Sequence, residues 1–102
     1  MSERKAIKHH IHGWAFTLPE RPTVRQQLAY TSAAGFSGRL SMLERHWEGA
    51  KTIMADWSCE ALPDTAVDLD ELTNPTQAEA ITWAGLQAAV HMNGIEDIPK
   101  NS

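Results

Sequence analysis

The spacing of hydrophobic residues near the C-terminus predicts the best-defined helix of the chain, over about residues 75–93. Asn74 is a favourable N-cap, and Pro75 suits the first helical position because its missing N–H needs no partner there. Gln77 is placed to reach back to Asn74 and complete a capping box. At the other end, Gly94 is typical of a helix C-terminus, since glycine readily adopts the left-handed conformation that closes a helix.

This helix has two apolar faces, which together exceed the stripe of about 100° that a surface helix needs. The first face is rich in small residues and predicts close approach of another helix backbone at Gly85 and Ala88. The second face carries the large residues Trp83, Leu86 and Val90. Two interpretations of the second face are open: other parts of the domain cover it, or it is offered to a partner.

Six apolar residues in the middle of the chain recur at alternating spacings of three and four, which predicts a helix over about residues 39–58. The opposite side of this segment is polar, so the helix presents one stripe to one core. The stripe consists of Leu40, Leu43, Trp47, Ala50, Met54 and Trp57.

Alternating apolar residues near the N-terminus predict a short, half-buried β-strand over Trp14–Leu18. Ile7 and Ile11 are candidates for a second short strand, which would form a hairpin with a turn at His12-Gly13.

Two further segments complete the predicted architecture. Thr23 and Gln26 have the spacing of a capping box and predict a helix over about 23–34. The segment 59–75 is an acidic connector with at most one helical turn, which we expect to dock through its apolar residues. The candidates for this docking are Val67, Leu69 and Leu72.

Together these elements predict a mainly α, three-helix domain with a short N-terminal β-strand or hairpin. Its length of 102 residues suits a single domain. The predicted parts are an N-terminal strand region over 1–22, a helical core over 23–95 and a tail over 96–102.

The charges are distributed unevenly along the chain. Residues 1–51 hold eight Lys or Arg against four Asp or Glu, a net charge of +4. Residues 52–102 hold one Lys against nine Asp or Glu, a net charge of −8. Two interpretations are open: the folded halves neutralise each other, or the basic end of one molecule meets the acidic end of another.

No motif for catalysis or metal binding stands out in the sequence. His10 and His12 lie on the same side of a strand but lack the further ligands of a zinc site. Cys59 has no neighbouring features of an activated thiol, and a single cysteine fits a reducing compartment. We therefore expect no enzymatic activity, no cofactor, no metal and no membrane-spanning segment, and a cytoplasmic location.

The order of elements resembles that of phage tail assembly chaperones. The resemblance rests on the strand-to-helix segment WAFTLPERPTVRQQLAY, the Trp-rich middle helix and the closing segment ITWAGLQAAVHMNGIEDIPKN. It implies a protein that binds the tape-measure protein and keeps its long apolar helices soluble until the tail tube forms around them.

The sequence and the resemblance together predict a non-enzymatic protein-binding factor, able to self-associate. The predicted partner-binding residues are Trp83, Leu86, Val90, Trp14 and Phe16. One alternative is a phage-encoded inhibitor that binds a host enzyme or defence complex through the acidic C-terminal half. Another is a nucleic-acid-associated regulator that uses the basic N-terminal half, although its Lys and Arg residues are scattered among acids.

Overall fold

The computed structural model describes residues 3–35 and 42–100, and the side chains up to residue 94. It combines helices with an antiparallel sheet. The elements in chain order are β1 (Arg4–Lys8), β2 (Ala15–Pro19), α1 (Val24–Gly35), α2 (Met42–Ile53), β3 (Ala55–Ser58), a 3-10 turn (Leu69–Glu71) and α3 (Pro75–Lys100). The expected mainly α, three-helix domain is therefore wrong, and the fold is α+β. The predicted start of the middle helix, with Leu40, lies outside the described residues.

The predicted N-terminal hairpin forms, and it supplies two strands of a sheet with the order β1-β2-β3. Its first strand contains Ile7 but not Ile11, so the placement of Ile11 in a strand is wrong: this residue lies in the turn with 73% of its surface exposed. Ile7 lies opposite Phe16 in the antiparallel register. The turn between the strands is closed by hydrogen bonds between His9 and both Gly13 and Trp14. Gly13 has a φ of 75°, a left-handed conformation that glycine adopts without steric cost.

The third strand replaces the end of the predicted middle helix. Helix α2 ends at Ile53, whose carbonyl accepts a hydrogen bond of 2.7 Å from the guanidinium of Arg4. The following residues pair with β2, and the register shifts by one residue beside Thr17. Asp56 occupies this irregularity with a φ of 56°, and its carboxylate accepts a hydrogen bond from the Thr17 hydroxyl at 2.9 Å. Sheet pairing and these long-range bonds therefore override a continuous helical pattern.

Helix α1 begins with the predicted capping box. The Thr23 N–H donates to the Gln26 side chain at 2.8 Å, and the Gln26 N–H donates to the Thr23 hydroxyl at 3.1 Å. The helix contains no buried residue and packs against α2 at Gly49, where a Cβ would lie within 3.0 Å of both Tyr30 and Ala34. Because it has little core of its own, α1 depends strongly on its cap and on this contact.

Replacing Thr23 with alanine should lower the free energy of unfolding by about 1 kcal/mol, because it removes the hydroxyl that accepts from the Gln26 N–H and leaves only the backbone half of the capping box. Thr31→Ala is a matched control, because Thr31 is exposed in the interior of the same helix. There the change should be neutral or slightly stabilising. Urea denaturation of both variants measures the difference, and equal stabilities would contradict the capping assignment.

Helix α3 begins as predicted but extends further. The Asn74 side chain accepts a hydrogen bond of 2.9 Å from the N–H of Thr76. Gln77 does not return to Asn74 but donates to the carbonyl of Ala61 at 3.2 Å, so it ties the connector to the helix. Gly94 lacks the positive φ that would end the helix, which continues to Lys100.

The core lies between the sheet, α2 and α3. The largest fully buried side chains are Trp47, Phe16, Leu18, Leu62 and Pro19. Helices α2 and α3 cross at Gly85, where a Cβ would lie 3.0 Å from the backbone nitrogen of Trp47. The predicted close approach at the small-residue face is confirmed. Among the described helices, none is both long and apolar enough to span a bilayer.

Candidate functional site

The structure distributes the five predicted partner-binding residues over different environments. Trp14 and Phe16 are core residues with 4% and 1% of their surface exposed, so their rings offer almost no surface to a partner. Trp83 is half-buried against the core. Leu86 and Val90 are exposed by 41% and 69%. The five residues therefore do not form one surface.

Trp83 lies in a cluster of aromatic rings that joins α3 to the sheet. Its ring centroid is 5.1 Å from that of Phe16, in edge-to-face geometry, and 6.1 Å from that of Trp14. Trp57 of β3 lies 6.3 Å away on the same cluster. These separations are typical of favourable aromatic pairs. The large-residue face of α3 is therefore divided, with Trp83 packed inside the domain and Leu86 and Val90 outside it.

A histidine cluster closes one edge of this aromatic region. The Nε2 atoms of His9 and His12 lie 3.6 Å and 3.3 Å from one carboxylate oxygen of Glu79. The ring of His12 stacks on Trp14 with the centroids 4.2 Å apart. The sequence pairing of His10 with His12 is thus replaced by His9 with His12, because these residues belong to the hairpin turn and not to a strand.

The two imidazoles lie against the Glu79 carboxylate, and His12 is the nearer of the two. The His12 N–H donates to Nδ1 of His9 at 3.3 Å, which leaves the proton of neutral His9 on Nε2, facing the carboxylate. No group of three or more potential ligands in the described part of the chain is arranged to hold a metal ion. The cluster therefore fastens the hairpin turn to α3.

Cys59 is the one thiol of the chain, and it is buried next to the end of β3. Burial raises the pKa of Cys59 above its ordinary value, because the charged thiolate is poorly solvated there. Activated nucleophilic thiols require the opposite shift. The environment of Cys59 is therefore that of a structural residue.

An open groove of about 400 Å³ lies between α2, the connector and the start of α3. We call it the acidic groove. The lining residues are Leu43, Glu44, Leu69, Asp70, Leu72, Thr73, Asn74, Pro75, Ala78, Ile81 and Thr82. Leucine, isoleucine, proline and alanine side chains supply its apolar surface, and two acids border it. Such a groove can take apolar side chains from a ligand and select for positive charge next to them.

The connector that forms one wall of the groove is held by packing and by local hydrogen bonds. Val67, Leu69 and Leu72 pack against the core, as the sequence predicted. The indole N–H of Trp57 donates to the Leu62 carbonyl at 2.6 Å and fixes the start of the connector. The groove is therefore built on anchored residues.

The connector is acidic, and Asp70 is the connector acid that lines the groove. Asp64 and Asp68 each accept a hydrogen bond from a backbone N–H two residues further on, which shapes the loop. Asp70 and Glu71 are exposed on the 3-10 turn. Within the described ranges, none of these four carboxylates forms an ion pair with this chain's own Lys, Arg or His. A basic ligand would thus meet connector acids that form no ion pair with the described residues.

The groove continues along α3 towards exposed apolar surface. Leu86 lies one helical turn beyond Thr82 of the lining, on the same side of the helix. Leu43, across the groove on α2, is also exposed. Sequence reasoning identified Leu86 but missed the groove, because its two walls come from segments far apart in the chain.

Comparisons with protein families, curated proteins and solved structures found no match to this chain.

Proposed function

We propose that this chain is a non-enzymatic protein-binding factor whose acidic groove holds the apolar face of an amphipathic helix from another protein. The observation that carries the proposal is the combination of an apolar lining with an acidic border. Leu43 and Leu72 offer apolar contact, while Asp70 lies at the edge, where it can pair with a Lys or Arg of the ligand. This arrangement matches the general mode in which a helix lays its apolar side into a groove.

The same geometry supports the role that the resemblance to tail assembly chaperones implies. A chaperone of this kind covers the apolar face of a tape-measure-like helix in the host cytoplasm and later releases it. Release requires a contact that is not too extensive, and an open groove with a charged border provides one. Leu86 extends the apolar contact by one turn of α3.

Peptide titration tests the proposal. The probe is a synthetic helix of about 20 residues with Leu at heptad positions a, d and e and Lys elsewhere, and the matched control replaces every Lys with Glu. We expect micromolar binding of the Leu/Lys peptide by calorimetry, at least about tenfold tighter than that of the Leu/Glu peptide. Absence of binding by both peptides would contradict the proposal.

Two arginine substitutions on α3 locate the binding site. Ala78 is exposed and lines the groove, so Ala78→Arg fills it and adds a like charge against the basic probe. Gln87 is also exposed, but lies half a turn round the helix from Ala78. We expect Ala78→Arg to weaken binding at least about tenfold and Gln87→Arg to leave it nearly unchanged. Equal affinities of the two variants would place the binding site elsewhere.

A further inference from the structure

Helix α1 exposes two large apolar side chains on the side that faces away from the domain. Val24 and Leu28 are exposed by 71% and 66%. They are four residues apart and therefore lie above one another on one helix face. Tyr30 and Ala34 occupy the other side of α1, in contact with Gly49 of α2. Packing within the domain thus leaves this apolar face uncovered.

Two arginines accompany this exposed apolar face. Arg21 lies just before α1 and Arg25 lies in its first turn, and both are exposed. Neither forms an ion pair with a described residue of its own chain. We call Arg21, Val24, Arg25 and Leu28 the basic ridge. It is a helix edge that combines exposed apolar side chains with positive charge.

The basic ridge and the acidic groove are complementary surfaces on one chain. We propose that the basic ridge of one copy docks in the acidic groove of a second copy. Val24 and Leu28 would fill part of the 400 Å³ of the groove, and Arg25 would approach the exposed carboxylates of Asp70 and Glu71. Because the ridge faces away from α2, a second molecule supplies the occupant.

This inference rests on the proposed function in using the same groove, and it adds a means of regulation. A free groove would expose apolar surface to the solvent, and self-association covers it. The basic amphipathic helix of a partner competes for the same site and separates the two copies. The contact between two copies therefore occupies the groove until a ligand of higher affinity displaces it.

The contact between two copies should be weak and reversible. Each surface is one short helix edge or one groove, which is small compared with the interfaces of permanent dimers. Two such contacts related by a two-fold axis would close a dimer. Opposite charges on the two surfaces make the association sensitive to salt.

Sedimentation velocity of the intact chain tests the proposal. We expect the average mass to rise above the monomer between about 10 μM and 1 mM protein, and the association to weaken about tenfold when salt increases from about 50 to 500 mM. Val24→Asp should abolish the association. Val90→Asp is the matched control, because Val90 is exposed by 69% on α3 but lies outside the ridge and the groove. A wild-type chain that remains monomeric overturns the proposal, as does equal loss in both variants.

Exchanging charges across the interface gives a second test that does not depend on folding effects. Arg25→Glu and Asp70→Arg should each weaken association at least about tenfold, since each places like charges together. The variant with both substitutions in one chain should regain association, because the opposite charges are restored in reversed order. Failure of the double variant to regain association overturns the assignment of ridge to groove.

The peptide probe distinguishes this inference from the proposed function. The Val24→Asp variant retains an intact groove, so it should bind the Leu/Lys peptide as a monomer, with affinity equal to or higher than wild type. If the wild-type chain is monomeric yet binds the peptide, the self-association is wrong and the proposed function stands. If the chain self-associates through ridge and groove but binds no helical peptide, the groove serves self-association and the proposed function is wrong.

Discussion

Replacing Trp83 with aspartate should unfold the domain. The Trp83 ring packs against Trp14, Phe16 and Trp57, so it joins α3 to two strands of the sheet. Loss of a large aromatic side chain from such a cluster costs about 3 kcal/mol or more. A carboxylate left among the remaining rings adds a desolvation cost.

The total effect is large compared with the stability of a small domain, which is about 5–15 kcal/mol. We therefore expect the Trp83→Asp variant to lose its near-ultraviolet circular dichroism and most of its cooperative thermal transition. This result would mean that Trp83 is needed for folding. Weaker partner binding by the unfolded variant would then say nothing about whether Trp83 contacts a partner.

Leu86→Asp provides the matched control for this variant. Leu86 lies on the same helix three residues further on, but its side chain is exposed and outside the aromatic cluster. We expect the Leu86→Asp variant to remain folded, with a loss of less than about 1 kcal/mol. A folded Trp83→Asp variant with unchanged stability would contradict the packing of Trp83 in the aromatic cluster and would indicate that its side chain is exposed.

Features with a short-range cause could be predicted from the sequence. The capping box at Thr23 and Gln26 involves residues three apart, and the hairpin involves neighbouring strands. The small-residue face of α3 predicted close packing at Gly85 because only a missing side chain allows such an approach. In each case the residues that form the contact are the same residues whose spacing or size predicted it.

The third strand could not be predicted, because its cause lies elsewhere in the chain. Met54 and Trp57 fit the helical spacing of the preceding segment, yet β3 gains hydrogen bonds from β2. Arg4, 49 residues away from Ile53, binds the last carbonyl of α2. Tertiary contacts of this kind override local periodicity. The acidic groove was missed for the same reason, since Leu43 and Asp70 meet only in the folded chain.

The pairing of the histidines was predicted wrongly, because the segment was assumed to be a strand and is a turn. Their spacing on an assumed strand paired His10 with His12. The turn instead brings His9 and His12 to Glu79, which interrupts the large-residue face of α3 in the sequence. An acid at an otherwise apolar position was therefore the signal for a contact with the hairpin.

Two glycine-to-alanine substitutions on α3 should change stability in opposite directions. At Gly85 an added Cβ would lie 3.0 Å from the backbone nitrogen of Trp47 and from Cβ of His46. Backbone atoms cannot yield without moving α2 against α3, so overpacking should cost about 1–3 kcal/mol. At Gly94 no atom lies within 4 Å of the added Cβ.

Alanine is intrinsically better than glycine in a helix by about 1 kcal/mol, and both sites gain this preference. Gly94→Ala should therefore raise the melting temperature. At Gly85 the overpacking cost exceeds this gain by up to about 2 kcal/mol, which lowers the melting temperature at about 4–8 °C per kcal/mol for a domain of this size. Calorimetry measures the melting temperatures of both variants. Because both carry the same substitution on the same helix, the difference between them reports the effect of the contact between α2 and α3 at Gly85. If Gly85→Ala proved as stable as Gly94→Ala, α2 would not cross α3 at this point. The groove that depends on that crossing would then lose its α2 wall.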